Sequence, residues 1–231
     1  MLKTSVRVLL ASLVMLSACT QLDATSSAAP EAGDRNFLKG VNTRSDELYV
    51  NSEAQPGVQG FRNLYIAPAD LANMQVIQPE GAKADEEWQI TEPEEKILQQ
   101  AIVKEFSAAL AFESAFNIVG NAEQAQIILN TSLVAVHPNE SRASVASGAK
   151  LGGAITVSIA LINAASGAVM VRSVDTKSSD DIWAFNQVQN DDPAIDLIFR
   201  SWGNSIRRGV LQLQGRSNDP LAQPITLREQ R

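Results

Sequence analysis

Apolar residues recur at intervals of three and four through Ile97, Leu98, Ala101, Ile102, Phe106, Ala109 and Leu110. That spacing predicts a helix with one buried stripe. Its start is marked by Thr91 as cap, Glu94 three residues on, Pro93 in the first turn and the acids Glu92 and Glu95. These residues satisfy orphan backbone N–H groups and suit the positive end of the helix dipole. A second helix is predicted by Ile195, Leu197, Ile198, Trp202, Ile206, Val210 and Leu213, with Asp192 as cap, Pro193 in the first helical position and an end near Gly215. Arg200, Arg207, Arg208 and Arg216 lie along it or just past it and read as a solvated face.

Between and before these helices the period changes to two. "RNLYIAP", Arg62 to Pro68, is the first firm strand, and Pro68 ends it. The mixed segment from Phe37 to Asn51 is expected along the edge of the domain. "FNIVG" is a short strand closed by Gly120. In "IILNTSLVAVHP", Ile127, Leu129, Leu133 and Ala135 fall on one face and Ile128, Val134 and Val136 on the other, which predicts a central strand. "AITVSIALIN" alternates Ile155, Val157, Ile159 and Leu161 with Thr156, Ser158 and Ala160, and a turn at Gly167 leads back into "AVMVRSV".

The resulting order predicts an α/β (α+β) fold in which two long helices pack on one face of a mainly antiparallel or mixed sheet. Residues 1–18 read as a signal peptide, 19–36 as a flexible tether rich in Ala, Ser and Thr, 37–215 as a single α/β sandwich domain, and 216–231 as a mobile C-terminal tail.

The signal assignment follows from Lys3 and Arg7, the apolar run Val8 to Leu16, and the small residues Ser17 and Ala18. The run is shorter than the roughly 20 apolar residues of a membrane-spanning helix. Leu16-Ser17-Ala18-Cys19 resembles the lipobox of bacterial lipoproteins. The resemblance implies that Cys19 carries a diacylglycerol and becomes the first residue of the mature chain. Acyl chains contribute about 0.8 kcal/mol per buried CH₂, enough for stable anchoring without a transmembrane segment. Asp directly after the cysteine often marks lipoproteins kept at the inner membrane. This chain has Thr20 there, which implies the outer membrane, on the periplasmic face.

Composition then narrows the chemistry. The net charge of −7 becomes −9 once Lys3 and Arg7 are removed, and no basic stripe suits nucleic acid. Cys19 is the only cysteine and His137 the only histidine. Multi-histidine metal sites, thiolate sites and Cys-His nucleophiles are therefore excluded, and no cofactor is expected. With Cys19 consumed by lipid, stability has to come from packing.

Over most of the mature chain, the lipobox, "FRNLYIAPADL", the helix from Thr91, "AEQAQIILNTSLVAV", and "GGAITVSIALINAASGAVMV" followed by a Trp202-bearing helix resemble a proteobacterial lipoprotein family catalogued as a domain of unknown function. In that family acidic residues often stand where this chain has Ser158 and Asn163. The resemblance implies a location and a fold, and no activity.

Several patterns invite chemistry. Ser147 and Lys150 have the S-x-x-K spacing of penicillin-recognising enzymes, but the companion K-T-G is absent and glycines at 148, 152 and 153 favour a loop. His137 ends a strand, with no G-x-S-x-G elbow to serve. The acidic pairs Glu86-Glu87, Glu94-Glu95, Asp180-Asp181 and Asp191-Asp192 read as caps and solvated turns rather than a glycosidase dyad. Trp183 and Phe185, in the polar connection before the last helix, are the candidate binding anchors. The expectation is a non-enzymatic outer-membrane lipoprotein that binds an envelope protein or assembly component. The alternatives are a periplasmic hydrolase acting on cell-wall material and a carrier of lipid or another apolar ligand.

Overall fold

The computed structural model describes residues 36–41, 43, 45–53, 58–83, 87–142, 152–182, 194–217 and 225–229. In chain order the elements are β1 (Phe37–Val41), β2 (Glu47–Asn51), β3 (Asn63–Ile66), β4 (Gln75–Val76), α1 (Glu92–Ala111), β5 (Asn117–Ile118), β6 (Ile127–Pro138), β7 (Gly153–Asn163), β8 (Val169–Ser179), α2 (Ala194–Leu213) and β9 (Thr226–Glu229). The nine strands form one sheet in the order β5, β3, β6, β7, β8, β2, β1, β9, with β4 also alongside β6. Pairing is antiparallel from β6 through to β9, and parallel where β3 meets β5 and β6 and where β4 meets β6. The fold is thus α+β with a mixed sheet, as the order of periods predicts.

The long strands β6 and β7 bury one face and leave the other half-exposed. Ile127, Leu129, Ile155, Val157 and Leu161 point into a core completed by Leu98, Ile102, Phe106 and Leu110 of α1 and Ile195, Phe199 and Trp202 of α2. Val136, assigned by strict alternation to the face opposite Leu133, is buried in the same core as Leu133. The register between β6 and β7 skips at Val134, so Leu133 faces Val157 and Ala135 faces Thr156. This bulge adds one residue to β6 and reverses the phase beyond it.

α1 begins as its cap residues require. The Glu94 carboxylate accepts from the Thr91 backbone N–H at 2.7 Å and from the Thr91 hydroxyl at 2.8 Å. α2 closes at Gly215, whose positive φ of 65° is accessible to glycine without strain. Gly215 N–H then reaches the Gln212 carbonyl and Arg216 N–H the Leu211 carbonyl. Two apolar positions assigned to buried stripes, Ile97 and Leu197, are exposed. The segment from Phe37 to Asn51 supplies β1 and β2 on the far side of β8. The expectation of a mobile tail from 216 to 231 is corrected in part: Thr226–Glu229 pairs with β1 as β9, and Leu227 packs against the core. Four residues are too few to display a period, so the strand left no pattern to detect.

The two helices run parallel, with Lys104 beside Asp196, Glu105 beside Arg200 and Phe112 beneath Arg207. They cross at Gly203. A Cβ added there would lie 2.7 Å from Ala109 Cβ and 3.3 Å from Phe106 Cα. Glycine in a helix interior costs about 0.5–1 kcal/mol relative to alanine, so its presence here reflects the close approach. Gly203→Ala is expected to lower stability in urea unfolding by about 1–3 kcal/mol through overpacking. Pairing it with Ala109→Gly should recover part of the loss, and a gain from Gly203→Ala alone would contradict this packing.

Candidate functional site

β8 carries its inward alternation past the apolar core. Met170 and Val171 are buried, Ser173 and Asp175 follow in the same phase as Val171, and Lys177 emerges where the core opens. Asp175 is 6% exposed. Such a carboxylate is tolerable only if hydrogen bonds replace its water. Trp202 Nε1–H donates to Oδ2 at 2.7 Å, the Asp46 backbone N–H donates to Oδ1 at 3.0 Å, and Lys177 Nζ lies 3.6 Å from Oδ2. Asp46 answers through its own carboxylate, which accepts from the Thr176 N–H at 2.9 Å. Lys177 Nζ also stands 6.0 Å from the centroid of the Trp202 ring.

Lys177 forms one wall of an open groove of about 380 Å³. The other wall is a single face of α2: Leu197, Arg200 and Ser201 from its first half, then Asn204, Ser205 and Arg208. These positions repeat at three and four residues, so they share one face of α2, and Arg200 at its edge also reaches Glu105 of α1. The lining is polar and cationic. Ser205 donates its hydroxyl to the Ser201 carbonyl at 3.0 Å, which leaves its oxygen lone pairs as acceptors along the groove. Leu197, 51% exposed, supplies an apolar lip.

Behind this face, charges pair across the helices. Glu105 is 1% exposed, and its carboxylate accepts from Arg200 Nε at 2.7 Å while Lys104 Nζ lies 3.2 Å away. Lys104 also donates to Asp196 Oδ2 at 2.7 Å. Burial by itself would raise the Glu105 carboxyl, but hydrogen bonds from Arg200 and Lys104, with their charges, outweigh it and hold the group below the usual carboxylate range. Lys104 is raised, first by its hydrogen bond to Asp196 and then by Glu105. Arg200 is thereby anchored at the groove rather than swinging in solvent. Arg208 has no hydrogen-bond, ion-pair or ring partner among the described residues, and it faces the groove.

A second polar cluster is structural. The Arg142 guanidinium lies 4.4 Å from the Trp88 ring centroid and donates to both oxygens of Glu94 at 2.9 and 3.0 Å. Trp88 in turn donates its indole N–H to the Glu140 carbonyl, which ties the end of β6 to the start of α1.

The sequence-derived candidates fall elsewhere. Cys19, Trp183, Phe185, Ser147 and Lys150 lie outside the described residues, as do Glu86, Asp191 and Asp192. His137 is half-buried near the end of β6, opposite Ala154 of β7, and does not line the groove. Of the arginines read as a solvated face, Arg200 and Arg208 line the groove, while Arg207 stacks 5.0 Å from the centroid of the Phe112 ring. Lys177 and Asp175 were not legible as site residues. The available signal was an acid and then a base continuing the inward phase of β8 beyond Val174. Among the described residues no helix is long and apolar enough to cross a membrane, and no group of three or more metal-binding side chains occurs.

No family model matches the chain, and no curated protein does. Among solved structures, it is similar to a hypothetical protein of Chlamydia trachomatis, with 9% identity and a TM-score of 0.42 over 65% of this chain and 98% of that one. It is also similar to a Xanthomonas campestris protein from a family of unknown function, with 13% identity and a TM-score of 0.41 over 68% of this chain and 87% of that one. A lipoprotein of Neisseria meningitidis shows 6% identity and a TM-score of 0.33 over 61% of this chain and 94% of that one. Overlaps of this extent transfer no activity to the chain.

The ion-pair network has a pH signature. Because the folded-state pKa of Glu105 is depressed, its contribution is present above the unfolded carboxylate value and is lost as pH falls through the folded one. Stability measured by urea unfolding below about pH 4.5 should therefore fall more steeply in the wild type than in Glu105→Gln. Parallel acid limbs for the two proteins would contradict the assignment.

Proposed function

We propose that the chain is a lipoprotein anchored through Cys19 in the outer membrane, facing the periplasm, and that it binds an envelope component without catalysing a reaction. The observation that carries the binding role is the groove between β8 and α2. Two of its three cations are backed by buried carboxylates, Lys177 by Asp175 and Arg200 by Glu105, so the charged wall is held in place before a partner arrives. Fixed side chains lose less conformational freedom on binding, which favours recognition. Trp183 and Phe185 belong to the chain segment joining β8 to α2, the two elements that form the groove, and are the proposed aromatic anchors for an envelope protein or assembly component.

The anchor itself rests on "LSAC" and its apolar approach. Cys19→Ala should leave an uncleaved precursor without acyl chains, read by intact mass and by membrane fractionation. Thr20→Asp should keep the acylation but shift the protein toward the inner membrane. Normal processing of Cys19→Ala would overturn the anchor, and an unchanged fractionation of Thr20→Asp would overturn the outer-membrane assignment.

A further inference from the structure

We propose that the groove between β8 and α2 recognises a phosphate group. This deepens the binding role above and rests on it. The lining matches that chemistry in three respects. Arg208 offers a planar fork of N–H donors, Arg200 adds the guanidinium charge that Glu105 holds at the groove, and Lys177 adds a compact ammonium. Ser201, Asn204 and Ser205 add neutral hydrogen-bonding groups along the same helix face. Arg208, Lys177, Ser201 and Asn204 together offer more donors than the two oxygens of a carboxylate can use, whereas a phosphate presents three or four acceptor oxygens around one centre.

The charge arrangement points the same way. The chain is acidic overall, with 26 Asp and Glu against 19 Lys and Arg, yet three cations share this one groove. The carboxylates that accompany Lys177 and Arg200 are buried behind the wall and already occupied, Asp175 by Trp202 and the Asp46 N–H, Glu105 by Arg200 and Lys104. Arg208 stands at the groove with no partner among the described residues, so an incoming anion displaces no described ion pair to reach it. The volume of about 380 Å³ and the open mouth suit a headgroup-sized polar ligand. An apolar carrier would need an enclosed, apolar lining instead.

The phosphate can come from a soluble ester or from a lipid headgroup at the membrane to which the proposed anchor holds the domain. One set of titrations separates them. The full acylated protein in phosphatidylcholine nanodiscs is titrated calorimetrically with inorganic phosphate, and separately with acetate, at constant ionic strength. Saturable phosphate binding is expected, with acetate at least about tenfold weaker. Arg208→Gln, which removes no described structural contact, should weaken phosphate by about tenfold, and Arg208→Lys by less because the charge remains while the fork is lost. The phosphate titration is then repeated in nanodiscs containing phosphatidic acid and in others carrying equal charge as oleate. Loss of the phosphate signal only with phosphatidic acid identifies a headgroup as the occupant, and an equal signal in both identifies a soluble ester. Absence of saturable phosphate binding, equal binding of acetate, or an unchanged affinity in Arg208→Gln overturns the proposal. Such a failure alongside normal processing at Cys19 leaves the anchored-binder role standing, while phosphate binding by a protein that is never acylated removes the anchor and keeps the ligand.

Discussion

A carboxylate buried beneath an indole fixes the relation of the last helix to the sheet. Asp175 loses most of its hydration on folding, a cost of several kcal/mol for an ion that finds no compensation. Its compensation comes from three directions: the Trp202 indole on α2, the Asp46 backbone just before β2, and the Lys177 ammonium two residues along β8. These contacts join a helix, an adjoining strand and the strand that carries Asp175 itself. Because a buried acceptor demands correctly placed donors, α2 cannot slide along β8 or roll about its axis without leaving a charge unpaired. Asp175 therefore sets the angle at which the outer face of α2 meets Lys177, and so the shape of the groove.

The partner helix supplies a second constraint of a different kind. At Gly203 the backbones of α1 and α2 approach until no room for a side chain remains, and the contact is steric. Around that point the charges of Lys104, Glu105, Asp196 and Arg200 interlock. The buried part of this network specifies the pairing of the helices more than it adds stability, since desolvation offsets much of the attraction. Its consequence at the surface is an Arg200 side chain held by Glu105 from behind.

Elements with long, uninterrupted periods were legible in the sequence. α1, the span of β6, and the hairpin of β7 and β8 all follow from apolar spacing, and the Thr91 and Glu94 pairing follows from cap chemistry. What escaped was tertiary. The β6 bulge turned Val136 inward because register is negotiated between strands, and β9 exists because β1 offers an open edge to a stretch too short to reveal itself. The burial of Glu105 escaped as well, since one helix alone cannot announce that Arg200 of another will receive it. The groove was illegible for the same reason. Its residues come from β8 and α2, and Leu197 and Arg208 acquire meaning only when Lys177 is placed opposite them.

The outer face of α2 is thus a by-product of core chemistry: a buried acid requires a lysine and an indole, and the helix that brings the indole presents its arginines beside the lysine. The most direct measurement of this account is hydrogen exchange of the Trp202 indole N–H, followed by NMR and assigned through its absence in Trp202→Phe. If Asp175 holds the indole in the core, that proton should exchange only through global unfolding, as the most protected core amides do, and Asp175→Asn should speed its exchange. Rapid exchange in the native protein, unaffected by Asp175→Asn, would mean that α2 moves freely over β8 and would contradict the account.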